Sequence, residues 1–305
     1  MHPYGLSPDL TIKVFSMLDT RSVFCAAATC SFFQKCAIDP LCYINIELGT
    51  LESKIKPNKD PKTKDAMVST IIQRAGSAIQ SIKLDIKWPY ISEADDDEQW
   101  EYMEGPPFLT GCCLSSLCAN GGVAGTIKET LSEALSASLS VCHSLVQLKI
   151  VDMNAHISHT MESVSRHCRL LELFIFKFCG GPPDMLETSV CKEFVVNCPK
   201  ITTLAVQTCI LFPCVAFELV KGFNELKYVD FTNCFSLTGA FLEDLATEGG
   251  GNSLEVMILK GLYSLDKVGV EKFMEALVAG KCRQLRHLVN FHIFFVFGGT
   301  YPLYS

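Results

Sequence analysis

The sequence predicts an α/β repeat fold, a solenoid of short parallel strands and return helices, preceded by a three-helix module (α+β overall). Three observations support this fold class. Similar apolar motifs recur every 25 to 30 residues from Leu145 onwards, and segments with helical spacing lie between them. The first 48 residues contain three short helical patterns with their breakers. At 305 residues, the chain is long enough for two such units.

The opening residues carry the signals of three helices. Ser7 suits an N-cap and Pro8 suits the first helical turn, so the first helix should start there. Asp19 and Ser31 can cap the second and third helices, and Asp39-Pro40 should end the third. One apolar face of the first helix follows helical spacing and comprises Leu10, Val14, Met17 and Leu18.

This stretch resembles an F-box, the helical module by which substrate receptors bind the Skp-type adaptor of cullin-RING ubiquitin ligases. Ser7 stands where the family usually has proline, and Phe33 and Tyr43 replace tryptophan. An ordinary helical-bundle fragment is the alternative that amphipathic spacing leaves open. The resemblance rests on Leu6-Ser7-Pro8-Asp9-Leu10, Val14-Phe15, Leu18, an aromatic residue three positions after Cys30, Tyr43 and Glu47-Leu48.

The resemblance implies a non-catalytic receptor subunit whose opening helices contact the adaptor. It does not separate residues that face the adaptor from residues that form the module. The residues implied in one or the other role are Leu6, Pro8, Leu10, Val14, Phe15, Leu18 and Phe33.

A lysine- and proline-rich linker and a connecting helix are predicted for residues 49–77. Five lysines without interleaved aromatic residues indicate a solvated loop rather than a nucleic-acid site. Asp65 can cap the helix, and Gly76 is well placed to end it.

A repeated motif is the strongest pattern in the chain. It begins with Leu145-x-x-Leu148-x-Ile150-x-x-Met153, and three later copies have cysteine at the ninth position. Each unit should be a strand and a return helix that bury their apolar faces only when neighbours stack on them. The small ninth residue can interact with the backbone of the turn. Further copies start at Leu171, Ile201, Leu226 and Leu254, with an earlier copy at Ile79 and a partial one at Leu285.

This motif is similar to leucine-rich repeats, in the cysteine-containing form often found after an F-box. Gln73-Arg74-Ala75-Gly76, leading into Ile82-Lys83-Leu84, extends the resemblance to plant F-box proteins with such repeats. A doubly wound sheet is the alternative, but it does not require cysteine at a fixed offset. The predicted organisation is an F-box at 1–48, the linker and helix at 49–77, and repeats at 78–290.

Two segments break the repeat. An acidic insertion at about 88–125 contains seven carboxylates between Glu93 and Glu104 near two tryptophans, which fits a solvated loop or, alternatively, a contact for a basic partner. The tail at 291–305 begins with the apolar run Phe291 to Phe297 instead of a polar cap. We expect the chain to be a truncated or alternatively ended form of a longer receptor.

Composition restricts the class of protein. No secretory signal and no apolar run of membrane-spanning length is visible, so we expect a soluble protein of the nucleus or cytoplasm, or both, with no membrane partner. The net charge of -7 argues against a nucleic-acid partner. The 16 cysteines are spread through a long chain and are expected to be reduced thiols.

No catalytic, metal-binding or cofactor-binding residues are predicted. The chain lacks Cys-x-x-Cys, a Gly-x-Ser-x-Gly elbow and a phosphate loop. The resemblance to F-box proteins instead implies a substrate-recognition subunit of an SCF (Skp–cullin–F-box) ubiquitin ligase that binds an unknown target protein for ubiquitination. The alternatives are a non-ligase leucine-rich-repeat scaffold and, less favoured, thiol chemistry at one cysteine.

Overall fold

The computed structural model describes residues 7–48, 61–85, 136–151, 156–178 and 185–289. The acidic insertion and the apolar tail lie outside these residues. Within them the chain forms one continuous parallel sheet with helices along it, a repeat-like solenoid that begins with a helical module.

The opening module (residues 7–43) contains three helices and a 3₁₀ turn. The oxygen of Ser7 accepts a hydrogen bond from the Leu10 amide at 3.2 Å, and Asp19 accepts one from the Ser22 amide at 2.8 Å, as expected of N-caps. The third helix differs from prediction because Cys30, not Ser31, occupies its N-cap position. The elements are α1 (Pro8–Phe15), α2 (Thr20–Ala27), α3 (Ser31–Cys36) and the turn Pro40–Tyr43.

The sheet starts inside the segment that the sequence analysis gave to the helical module. Strand β1 (Asn45–Leu48) pairs in parallel with β2 (Ser81–Asp85), and the side chain of Ile46 in β1 is buried. The Glu47 amide also donates to the side-chain oxygen of Thr20 at 3.2 Å. The opening module is therefore joined to the solenoid through shared hydrogen bonds as well as through the chain.

Eight strands of the described chain form the sheet in sequence order, each parallel to the next. This order results when each strand is followed by a crossover connection, after which the next strand adds beside it, parallel to it, at the growing edge of the sheet. After β1 and β2 come β3 (Gln147–Val151), β4 (Leu173–Lys177), β5 (Thr203–Gln207), β6 (Tyr228–Asp230), β7 (Val256–Ile258) and β8 (His287–Val289).

Strand register confirms the alignment of the repeat copies. Leu148 pairs with Phe174, Phe174 with Leu204, and the same position continues through Val229 and Met257. These residues are fully buried, as are the first residues of the five copies. The core is thus a set of ladders of equivalent side chains, each completed by the neighbouring repeat.

The helices lie between the strands in sequence and pack against one another. The connecting helix α4 begins four residues before Asp65 and ends, as predicted, before Gly76, whose φ of +51° favours glycine. In the last helix, Val270 and Phe273 are buried, but Met274 is exposed although it shares their spacing. The bounds are α4 (Pro61–Ala75), α5 (Ile157–His167), α6 (Thr188–Asn197), α7 (Pro213–Gly222), α8 (Ala240–Glu248) and α9 (Lys267–Val278).

Two cysteines at the ninth position of the repeats bind backbone, as their size suggested. The thiol of Cys234 donates to the Val206 carbonyl of the preceding repeat at 3.0 Å, and the thiol of Cys209 contacts the Gln207 carbonyl at 3.3 Å. Both cysteines are buried. Met153 and Cys179, the ninth residues of the first two copies, lie outside the described residues.

Candidate functional site: an apolar helical surface and a charged groove

The apolar face of α1 points to solvent. Leu10 is 49% exposed and Val14 47% on this helix. The helix ends at Phe15, earlier than the predicted face, so Met17 (76% exposed) and exposed Leu18 lie just after it. The turn Pro40–Tyr43 packs against α1 and adds exposed Leu41. Large apolar side chains grouped in this way on the surface are typical of protein contact sites. We call Leu10, Val14, Met17, Leu18 and Leu41 the apolar surface.

The predicted adaptor-binding residues separate into two groups. Pro8, Leu10, Val14 and Leu18 are exposed and available to a partner. Phe15 is buried instead, and Phe33 is partly buried. Leu6 lies outside the described residues.

Phe15 and Phe33 hold the module together from within. Their rings meet edge to face with centroids 5.4 Å apart, and Phe33 is half-buried against the core. Tyr43, later in the chain, is also buried, and its hydroxyl donates to the Ala37 carbonyl at 2.8 Å. Burial raises the pKa of the Tyr43 hydroxyl. These three aromatic residues fix the helices on which the apolar surface lies.

A second candidate surface lies on the sheet face opposite the helices. The fifth positions of successive repeats form a row across it, in which Lys149 pairs with Ile175, Ile175 with Ala205, and Ala205 with Asp230. A groove of about 490 Å³ follows this row. Its remaining lining residues are Val151, Lys177, Thr203, Gln207 and Tyr228.

Asp230, at one end of the groove, is satisfied by its own neighbours. One carboxylate oxygen accepts from the Thr232 amide at 2.9 Å and from the Thr232 hydroxyl at 2.6 Å. The other accepts from the Gln207 side chain at 2.5 Å and from the Tyr228 hydroxyl at 3.5 Å. Burial, and then the adjacent carboxylate, raise the pKa of Tyr228. This end of the groove is a closed polar cluster with a structural role.

Lys149 and Lys177, at the other end, differ from Asp230. Both are half-buried on the sheet face, and no ion pair joins either to a described side chain. Lys83, one strand before Lys149 in the same row, does form an ion pair with Glu47. The groove therefore has two lysine ammonium groups that are in no ion pair with the described side chains, and its lining also contains the one carboxylate of Asp230.

Sequence reasoning missed the groove. Its residues occupy the fifth and seventh positions of the repeat motif, which alternate with the buried fourth and sixth positions. Because successive strand residues point to opposite faces, comparing these intervening positions across the copies could have revealed Lys149 and Lys177.

The buried thiols are poor candidates for nucleophiles. Burial raises the pKa of Cys142, Cys191, Cys198 and Cys234 to about 12, which keeps each thiol protonated near neutral pH. Cys198 donates to the Cys168 carbonyl at 3.6 Å, so its thiol is used in packing between repeats. Cys25 and Cys214 are exposed.

None of the helices described is long and apolar enough to cross a membrane. Among the same residues, no three His, Cys, Asp or Glu side chains are grouped as metal ligands would be.

Comparison with curated proteins connects the fold to a family. The F-box protein SKIP17 of Arabidopsis thaliana is 34% identical over 297 residues, which cover 93% of this chain and 58% of that protein. The F-box protein At4g02760 of the same plant is 31% identical over 292 residues, covering 93% of this chain and 54% of that protein. The chain is a homologue of plant F-box proteins.

A third relative, the Arabidopsis thaliana F-box protein At4g02733, is 29% identical over 197 residues. That match covers 57% of the chain and 63% of the relative. No family model matches the chain. The chain spans a little over half the length of the first two relatives.

Proposed function

We propose that this F-box homologue is a non-catalytic substrate receptor of an SCF ubiquitin ligase. In this proposal the opening module is an F-box that binds a Skp-type adaptor, and through it a cullin-RING ligase. The leucine-rich-repeat solenoid binds a target protein for ubiquitination. The chain would act in the nucleus, the cytoplasm or both, where such ligases work.

The apolar surface of the opening module is the observation that supports the proposal most. The spacing of its residues alone would predict a buried helix face. In the structure these side chains are exposed: Leu10, Val14, Met17 and Leu18. Each Leu or Val side chain buried by a partner contributes about 1.5–3 kcal/mol relative to exposure. In a homologue of F-box proteins, an adaptor is the partner that such a surface would bind.

The mechanism of a receptor is positioning. It performs no bond chemistry; it raises the concentration of target lysines near the ubiquitin-loaded enzyme, as any tether does. The junction between module and sheet suits this role. Strand β1 continues directly from the module into the sheet, and the backbone carbonyl of Ile44 accepts from Gln80 at 2.8 Å. A target held by the sheet would thus keep a fixed orientation relative to the adaptor.

Binding of the purified chain to a Skp-type adaptor, measured by calorimetry, tests the proposal. We expect the Leu10→Asp, Leu18→Asp double variant to lose at least about 2 kcal/mol of binding free energy, because it introduces two charges into the apolar surface. Val196→Asp, Val278→Asp is the matched control, since those residues are 75% and 89% exposed on α6 and α9, away from the module.

Circular dichroism separates loss of binding from loss of folding. Both double variants should keep the far-ultraviolet spectrum and melting temperature of the parent chain, because all four positions are exposed. A folded parent chain that does not bind the adaptor contradicts the proposal, and so does equal binding by the two double variants.

A further inference from the structure

We propose that the groove of the sheet binds an extended acidic segment of a partner protein. Two carboxylate side chains of that segment would form ion pairs, one with Lys149 and the other with Lys177. This inference rests on the proposed function and deepens it, because it gives the chemical class of the target segment.

The charge of the groove favours an anionic occupant. Lys149 and Lys177 are half-buried and have no ion-pair partner among the described side chains, whereas the carboxylate of Asp230 already accepts four hydrogen bonds. A partly desolvated cation gains more from a counterion than a fully hydrated one. Among its described lining residues the groove thus has two lysines against the one carboxylate of Asp230, and that carboxylate is buried and hydrogen-bonded to neutral neighbours at the far end.

The apolar neighbours of the two lysines strengthen this preference. In the paired strands, Lys149 lies beside Ile175 and Lys177 lies beside Val151. The four side chains therefore form a square with the cations on one diagonal and the aliphatic residues on the other. Aliphatic side chains lower the local dielectric constant around the ammonium groups, and they offer packing to an apolar residue of the partner.

The spacing of the lysines favours two carboxylates over one. The residue paired with Lys149 lies two positions before Lys177 on the adjacent strand. A strand separation of about 4.8 Å and a rise of about 3.3 Å per residue place the two lysine Cα atoms about 8 Å apart. Residues i and i+2 of an extended peptide share one face and lie about 7 Å apart. An acidic residue, any residue and a second acidic residue therefore match the pair.

Fluorescence anisotropy with short labelled peptides and the purified 305-residue chain tests the inference. The probe is a nine-residue peptide with Glu-Val-Glu at its centre, and the comparison peptides contain Gln-Val-Gln or a single phosphoserine there. We expect the Glu-Val-Glu peptide to bind most tightly. Its dissociation constant should rise about tenfold in Lys149→Gln, Lys177→Gln, because two partly buried ion pairs are lost.

A matched control removes the same charge elsewhere. Lys192 on α6 and Lys200 after it are exposed on the helical side, so Lys192→Gln, Lys200→Gln should bind the acidic peptide as the parent chain does. Adaptor binding is measured on the same preparations. Retained adaptor binding by Lys149→Gln, Lys177→Gln, with loss of the peptide, supports the inference and separates it from the proposed function.

Four results would overturn the inference. The first is a folded chain that binds the adaptor but binds no acidic peptide up to about 1 mM, a concentration that would reveal even weak affinity. The second is equal binding of the Glu-Val-Glu and Gln-Val-Gln peptides. The third is tighter binding of the phosphoserine peptide, which would indicate a phosphorylated partner. The fourth is acidic-peptide binding that appears only after Asp95, Asp96 and Asp97 are replaced by Asn, which would make the chain's own carboxylates the occupant.

Discussion

The opening module and the solenoid use the same kind of apolar pattern with opposite results. On α1, Leu10 and Val14 recur at helical spacing and are about half exposed. In the strands, Leu148 and Phe174 recur at the repeat spacing and are fully buried. The difference is that each repeat has a neighbour of equal shape to cover it, whereas no described residue covers the face of α1 that carries Leu10 and Val14, although Phe15 on the other face is buried in the module. An apolar pattern predicts burial, but only the structure shows whether the surface that covers it belongs to the same chain.

The largest expected effect breaks the solenoid and spares the module. Phe174 is fully buried, and its ring meets Phe194 edge to face at 5.3 Å. Replacing Phe174 by Ala should lower the free energy of unfolding by about 3–5 kcal/mol, because it removes the ring and leaves a cavity. Val14→Ala, which also removes apolar atoms, should change it by less than about 0.5 kcal/mol.

Urea unfolding followed by circular dichroism measures both variants. Because repeat arrays can unfold in more than one step, the midpoint of each transition is the quantity to compare. Similar shifts for Phe174→Ala and Val14→Ala would mean that Val14 is buried in the free chain, against the exposure described here.

Salt should separate the two candidate surfaces by their chemistry. Binding at the apolar surface depends on burial of apolar area and should change less than about twofold between 50 and 500 mM NaCl. Binding of the acidic peptide in the groove should weaken about threefold to tenfold over the same range, because screening reduces attraction between partly exposed charges. Parallel titrations of adaptor and peptide measure the two slopes. Equal slopes would show that the surfaces do not differ as proposed.

Much of the solenoid could be predicted from sequence because its signal is repeated. The buried fourth position, from Leu148 to Met257, recurs in five copies, and the sheet register confirms the alignment of those copies residue by residue. Even the partial copy at Leu285 forms a strand, His287–Val289. A pattern that must satisfy the same packing in every repeat is hard to misread.

Strand β1 was missed because residues 45–48, which the sequence analysis placed in the opening module, also form the first strand of the sheet. Ile44, Ile46 and Leu48 alternate with polar residues, which is a strand signal, but the resemblance of the opening stretch placed them in the helical module. The groove was missed for another reason. Lys149 and Lys177 are ordinary surface lysines in sequence, and only the parallel pairing of β3 with β4 brings them together.

A helix cap in the solenoid should have a smaller effect than its core. Asp266 accepts from the Gly269 amide at 2.9 Å at the start of α9, and its second oxygen accepts from the Gly239 amide of the preceding repeat at 3.0 Å. Asp266→Ala leaves both amides without this acceptor and should cost about 1–2 kcal/mol of unfolding free energy. Hydrogen exchange at Gly239 and Gly269 should quicken while exchange in the opening module is unchanged. Unchanged protection at Gly239 would show that the bond between the repeats contributes nothing.

Weakening the N-cap of α2 at Asp19 in the opening module should have the smallest effect. We expect it to change the pKa of the Asp19 carboxyl without unfolding the protein. The hydroxyl of Ser22 donates to Asp19 at 2.7 Å and its amide donates at 2.8 Å, and these bonds lower the pKa of the Asp19 carboxyl, the hydroxyl most. A lowered folded-state pKa means that the cap stabilises α2 above the unfolded-state pKa and that this stabilisation is lost as pH falls through the folded value. Ser22→Ala should therefore move the Asp19 pKa upward, towards its ordinary value, as followed by the carboxyl carbon chemical shift. An unmoved pKa would mean that the amide alone lowers it, in which case the cap of the module, like that of the solenoid at Asp266, depends on backbone donors.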